Sequence, residues 1–197
     1  MKLHERLLNR VEAGGHRYRL NLDFRNVLRM MEIMGRDDLL PAARDWLALR
    51  CVMRRPPRHP GPLLEAVRAL LFPARRGEND GKRITSFEQD ADLIRAAFRQ
   101  AYGIDLYRDK LHWLEFAALL SALPEGSRYS EVLGIRARPM PAPTKYNSQE
   151  REWLAKAKAA YALEMDEKER ARAYEQGVKA LFAGLIAWAE KGGEDHA

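Results

Sequence analysis

Hydrophobic positions along the chain fall first into a short alternation and then into a series of helical stripes. Tyr18 and Leu20 alternate with Arg17 and Arg19, and Gly14-Gly15 just before them tolerates the positive φ of a tight turn. Residues 11–20 therefore read as a β-hairpin. A lone hairpin is marginal in water, so it must lie on helices, pair with another chain, or both. Asn21 or Asp23 can cap the helix that follows, whose apolar positions Phe24, Val27, Leu28, Met31 and Met34 recur at helical spacing until Gly35 stops it. A second helix is predicted from about Asp38 to Met53. Its expected inner face is Leu39, Leu40, Ala43, Trp46, Leu47 and Cys51, and Pro56, Pro57 and Pro60 break it.

The stripe Leu63, Leu64, Val67, Leu70 and Leu71 predicts a third helix over Pro62 to Phe72, and Pro73 through Gly81 reads as a mobile charged loop. Ser86 stands three residues before Gln89, the spacing of a capping box, while Glu88, Asp90 and Asp92 supply negative charge where a helix dipole favours it. Gly103 closes that helix, with Phe87, Ala91, Ile94, Ala97, Phe98 and Ala101 on one face. The next segment places Leu111, Trp113, Leu114, Phe116, Ala117, Leu119 and Leu120 around most of its circumference, which predicts a central position. A short helical turn through Val132 and Leu133 follows, then a Pro-rich linker. Beyond it, Trp153, Leu154 and Ala157 form one helical segment, and Tyr174, Val178, Leu181, Phe182, Leu185 and Ala189 another. The expected fold is mainly α: a hairpin plus helical core over residues 1–136, a linker over 137–143, and a C-terminal helical arm over 144–197.

Composition limits the chemistry available to this fold. Hydrophobic residues make up 46% and charged residues 31% of the 197, the balance of a chain that buries a core. Cys51 is the single cysteine, which excludes an intramolecular disulfide, a Cys-rich zinc site and a paired-thiol redox motif, and fits a cytosolic protein. No signal-peptide pattern opens the sequence and no apolar run is long enough to span a membrane. The net charge of +6 is uneven: residues 1–143 hold 25 Lys/Arg against 18 Asp/Glu, and residues 144–197 hold 9 against 10. The clusters Arg50, Arg54, Arg55, Arg58 and Arg75, Arg76, Lys82, Arg83 would suit a phosphate backbone. They sit among Pro and Gly with no interleaved aromatics to stack on bases, so solvated loop charge is the expected reading and nucleic acid an unexpected partner.

Candidate catalytic groups do not assemble. His4, His16, His59, His112 and His196 are scattered without paired ligand spacing, and His112 beside Trp113 reads as a hydrogen-bonded packing residue. Carboxylates at 88, 90 and 92 of one helix do not converge on one point, and helix capping explains them. Gly14-Gly15 lacks the Lys-Ser/Thr of a phosphate-binding loop, and Cys51 falls on an apolar face where a thiol behaves as a small hydrophobe. The expectation is a protein that is not an enzyme and needs no metal or cofactor.

Five stretches carry a resemblance. They are Asn21-Leu22-Asp23-Phe24-Arg25; Thr85-Ser86-Phe87-Glu88-Gln89-Asp90-Ala91-Asp92-Leu93-Ile94; Ala97-Phe98-Arg99-Gln100-Ala101-Tyr102-Gly103-Ile104-Asp105-Leu106; Leu111-His112-Trp113-Leu114-Glu115-Phe116 with Ala118-Leu119-Leu120; and Ser130-Glu131-Val132-Leu133-Gly134-Ile135-Arg136. In order and spacing they resemble the bacteriophage gene-product-fifteen family, over roughly residues 11–160. The resemblance implies a tailed-phage protein encoded near the tape-measure protein, and hence a tail-assembly chaperone in the host cytoplasm that is absent from the mature virion. The implied partners are the tape-measure protein, the tail-tube protein and further copies of the chain. The alternative within the same setting is a virion component such as a connector or tail-completion protein. The family brings no catalytic or ligand residues to carry over. The sequence itself offers two partner-binding candidates: the stripe Val178, Leu181, Phe182, Leu185 and Ile186, which packs either on a partner or back on its own core, and the hairpin edge Arg17, Tyr18, Arg19 and Leu20.

Overall fold

The computed structural model describes residues 7–72 and 83–164. The predicted mobile loop at Pro73 to Gly81 and the distal part of the arm lie outside the described residues. Two strands, β1 (Arg10–Ala13) and β2 (His16–Arg19), pair antiparallel with Val11 opposite Tyr18. Gly14 and Gly15 turn the chain at φ of +56° and +74°, which a side-chain-bearing residue enters only with strain. Seven helices follow among the described residues: α1 (Phe24–Met34), α2 (Pro41–Val52), α3 (Gly61–Leu71), α4 (Ala91–Tyr102), α5 (Trp113–Ser121), α6 (Arg128–Ala137) and α7 (Ser148–Ala160). The hairpin lies on α3, and α1 packs against α2 and α5. The fold is mainly α, as the stripes predict.

A pair of backbone bonds organises the centre. The N–H of Phe24 donates to Leu111 O at 3.0 Å and that of Trp113 donates to Leu22 O at 2.8 Å, so the entries of α1 and α5 are held side by side around Asp23 and His112. Each of those two residues also caps its helix. Asp23 Oδ1 accepts from the Arg25 N–H at 3.0 Å, and His112 Nδ1 accepts from the Leu114 N–H at 3.1 Å. Beneath the bridge, Phe116 stacks on Phe24 at 4.7 Å and on Phe98 at 5.2 Å, with Trp113 at 5.8 Å. Contacts of this kind contribute about 0.5–1.5 kcal/mol each beyond area burial. The Trp113 indole N–H donates to Leu71 O at 3.0 Å and so ties the end of α3 to this stack.

Several local readings are corrected, three of them in the core. In α2 the buried side is Ala48, Leu49 and Val52, while Leu40, Trp46 and Leu47 of the expected inner face are exposed. The helix is apolar on two sides, and α1 covers the narrower one. In α5 only Trp113 and Phe116 are fully buried, with Leu114, Leu119 and Leu120 half-buried, so the helix is a wall of the core and not its axis. The third concerns the capping box. Ser86 Oγ accepts from the Gln89 N–H as expected, at 3.3 Å, but it is Asp90 whose carboxylate reaches back to the Ser86 N–H, at 2.9 Å. Residues 87–90 form a turn before α4 proper, and this places Asp90 inward, 1% exposed, away from the dipole-matching surface position expected of it.

α6 is a full helix of ten residues in place of the single turn expected, capped by Ser127, whose Oγ accepts from the Ser130 N–H. After an irregular stretch, α7 lies along α6 with Leu154 fully buried, while Trp153 is exposed.

Candidate partner-binding surface

Among the described residues, two recesses with apolar lining and the hairpin offer recognition chemistry. The first recess is an open groove of about 610 Å³ between the C-terminal end of α1 and the outer face of α3, lined by Met31, Met34, Gly35, Glu65, Arg68, Ala69 and Phe72. Met31 and Met34 are three apart on one helix and therefore neighbours, and Gly35 ends the helix so that the groove stays open there. Phe72 is 39% exposed, large for an aromatic residue at a helix end. Glu65 and Arg68 pair across one helical turn at 3.4 Å, in solvent, where such a pair adds little stability. Unbranched methionine side chains reshape to their neighbours, so this lining accepts apolar surfaces of varied shape.

The second recess, of about 200 Å³, lies between α1, α4 and the turn that joins α4 to α5. Phe24, Phe87 and Phe116 form its floor, and Leu28, Ala91 and Tyr107 its lips. Arg25 fixes one wall: its Nη2 donates to Leu106 O at 2.8 Å and to Asp109 O at 2.7 Å, and its Nη1 pairs with Asp23 at 3.1 Å. Arg95 lies over the exposed Tyr107 ring at 4.5 Å and forms the rim opposite. The recess is the size of one large side chain, too small for a drug-sized ligand.

On the hairpin, the expected partner residues divide. Arg17 and Arg19 point to solvent and Tyr18 is half-buried, but Leu20 is 4% exposed and belongs to the core. Its N–H bonds to Asn9 O at 2.9 Å, continuing the hairpin pairing by one step. Leu20 and Tyr18 thus lie on the core side of the strand, Tyr18 packed against the core beside Val11, and only Arg17 and Arg19 face outward. Val178, Leu181, Phe182, Leu185 and Ile186 lie outside the described residues.

Several titratable groups take part in holding the fold together. Arg136 of α6 chelates the Asp90 carboxylate and also donates to Ile84 O at 3.1 Å and Tyr161 O at 2.6 Å, joining the start of α4 to the end of α7. Burial pushes the Asp90 carboxyl up, and hydrogen bonds from Arg136 and the Ser86 N–H together with the Arg136 charge outweigh it, so the group is held below its ordinary value. Burial lowers the His112 pKa. Among the described residues its Nε2 is enclosed without a hydrogen bond of good geometry, and the nearby Leu8 backbone opposes the shift only in part. Burial likewise raises the Cys51 pKa, which disfavours its thiolate. Among the described residues no three His, Cys, Asp or Glu side chains gather as a metal site, and no helix is long and apolar enough to cross a membrane. Sequence spacing could not reveal the Asp90–Arg136 pair, whose members are 46 residues apart. The capping signal at Ser86 marks the neighbourhood only.

Comparison with curated proteins and with solved structures finds no match to this chain. A family model does match, described as Bacteriophage Gp15 protein, over residues 3–163. That span takes in the hairpin, all seven helices and both recesses. The chain belongs to the Bacteriophage Gp15 protein family, a group of phage structural or morphogenesis proteins.

Proposed function

We propose that this phage protein is a tail-assembly chaperone that holds the tape-measure protein in solution while tail-tube subunits polymerise around it. The observation that carries the reading is the methionine-lined groove between α1 and α3. A tape-measure chain is long, helical and apolar at intervals, and its successive segments differ in sequence. A protein that coats it needs a shallow, adaptable groove that takes the apolar face of many different helices at modest affinity. Met31, Met34 and Phe72 supply such a lining, and the hairpin edge with its outward Arg17 and Arg19 offers a contact between neighbouring copies. Many weak contacts along one client add up through effective concentration, so no single groove has to bind tightly. In this reading the protein acts in the host cytoplasm without catalysis, cofactor or metal.

The test is a paired substitution, Met31→Glu with Met34→Glu, in cells that also express the tape-measure candidate. The expected result is client in the pellet and variant protein in the supernatant with unchanged circular dichroism. Client that stays soluble with the variant removes the groove from the account. Mass spectrometry of purified virions separates this role from a connector or tail-completion protein, because only a resident component is found in the particle.

A further inference from the structure

We propose that the apolar stripe of the C-terminal segment, residues 174–189, docks on the aromatic recess of its own core formed by Phe24, Leu28, Phe87, Ala91, Tyr107 and Phe116. This assigns the stripe to the same chain and leaves the methionine groove to other partners.

Two observations lead there. The recess has the exposed Tyr107 at its lip and the half-buried Phe87 in its floor, which continues into the buried stack on Phe116, so a further aromatic side chain would extend an existing cluster. Phe182, at the centre of the stripe, has the size and chemistry to do so. The second observation is where the described chain ends. Glu164 is pinned to the Gln89 side chain by two bonds, its N–H to Oε1 at 2.8 Å and its carbonyl from Nε2 at 3.2 Å. Gln89 is two residues from both Phe87 and Ala91, at the start of α4, so the chain is delivered to the end of the helix that carries the recess wall. A helix is about 10 Å across, and the ten residues from Glu164 to Tyr174 can reach roughly 30 Å, ample to round α4.

Cross-linking in the full chain tests the placement. In a Cys51→Ala background, Ala91→Cys is combined in turn with Glu175→Cys, Lys179→Cys or Ala183→Cys, which flank the stripe at helical spacing. Each protein is oxidised mildly at low concentration and its mass and disulfide are read. At least one pair is expected to close within single chains in most of the molecules, while Arg54→Cys substituted for Ala91→Cys closes with none. Should Ala91→Cys disturb folding by circular dichroism, the exposed Tyr107→Cys replaces it. Disulfide-linked dimers in place of closed monomers would overturn the proposal in favour of exchange between copies, and absence of any bond would overturn it outright. Capture of the tape-measure protein is scored separately on the unoxidised proteins, so loss of the chaperone reading and loss of this one are told apart.

Discussion

Arg136 lies across the carboxylate of Asp90, with Nη1 and Nη2 each 2.8 Å from one oxygen, and both side chains are withdrawn from solvent. The pair joins the turn before α4 to the last turn of α6, and through the bond from Arg136 to Tyr161 O it also holds the end of α7. Such a pair earns its importance from what happens when half of it is lost, because a buried carboxylate then stands uncompensated. Arg136→Met should lower stability by about 3–5 kcal/mol, read as a fall in the denaturant midpoint. Adding Asp90→Asn to Arg136→Met should restore part of that loss, and no recovery would mean that the pair acts through packing alone.

The same pair sets an acid limit. A carboxyl held below its unfolded value of about 3.9 contributes stability that is complete above that pH and is lost as pH falls through the lower folded value. Wild-type unfolding should therefore steepen below about pH 4, and the double variant should lose that component.

His112 acts in a higher window. Its ring accepts the Leu114 N–H through Nδ1, and burial keeps its folded pKa below the unfolded value of about 6.5. The unfolded chain then binds the proton more readily, so stability is full above about pH 6.5 and declines as pH drops toward the folded value. Protonation also removes the lone pair that caps α5. His112→Asn keeps a capping oxygen and should flatten the melting temperature between pH 7 and pH 5. A profile unchanged by the substitution would place that pH dependence elsewhere.

The two sides of α2 should answer differently to truncation. Leu49 has no exposed surface, and Leu49→Ala should cost about 2–5 kcal/mol. Leu47 is 37% exposed on the opposite side, and Leu47→Ala should change stability by about 0.5 kcal/mol or less. Equal losses in chemical denaturation would contradict the orientation of the helix.

That helix also marks where sequence reasoning ends. The Gly14-Gly15 turn, the Asp23 cap, the Gly35 and Gly103 stops and the stripe of α3 all rest on interactions within a few residues, and each is present in the fold. In α2, Leu40, Ala43 and Leu47 recur as regularly as Ala48, Leu49 and Val52 cluster, and spacing cannot say which set meets α1. The choice depends on distant contacts, among them the bond from the Asn21 N–H to Val52 O. The recesses depend on the same kind of information. Met31 and Met34 read as ordinary core positions, and Phe72 only as the end of a helix, until α1 and α3 are set side by side with a gap between them. Asp90 reads as a solvated helix-start charge until α6 brings Arg136 to it.

Co-expression with the tape-measure protein of the same phage, followed by co-purification and native mass determination, tests the proposed role most directly. A soluble complex holding many copies of this chain per client is the predicted result. An insoluble client that does not co-purify would contradict the chaperone role.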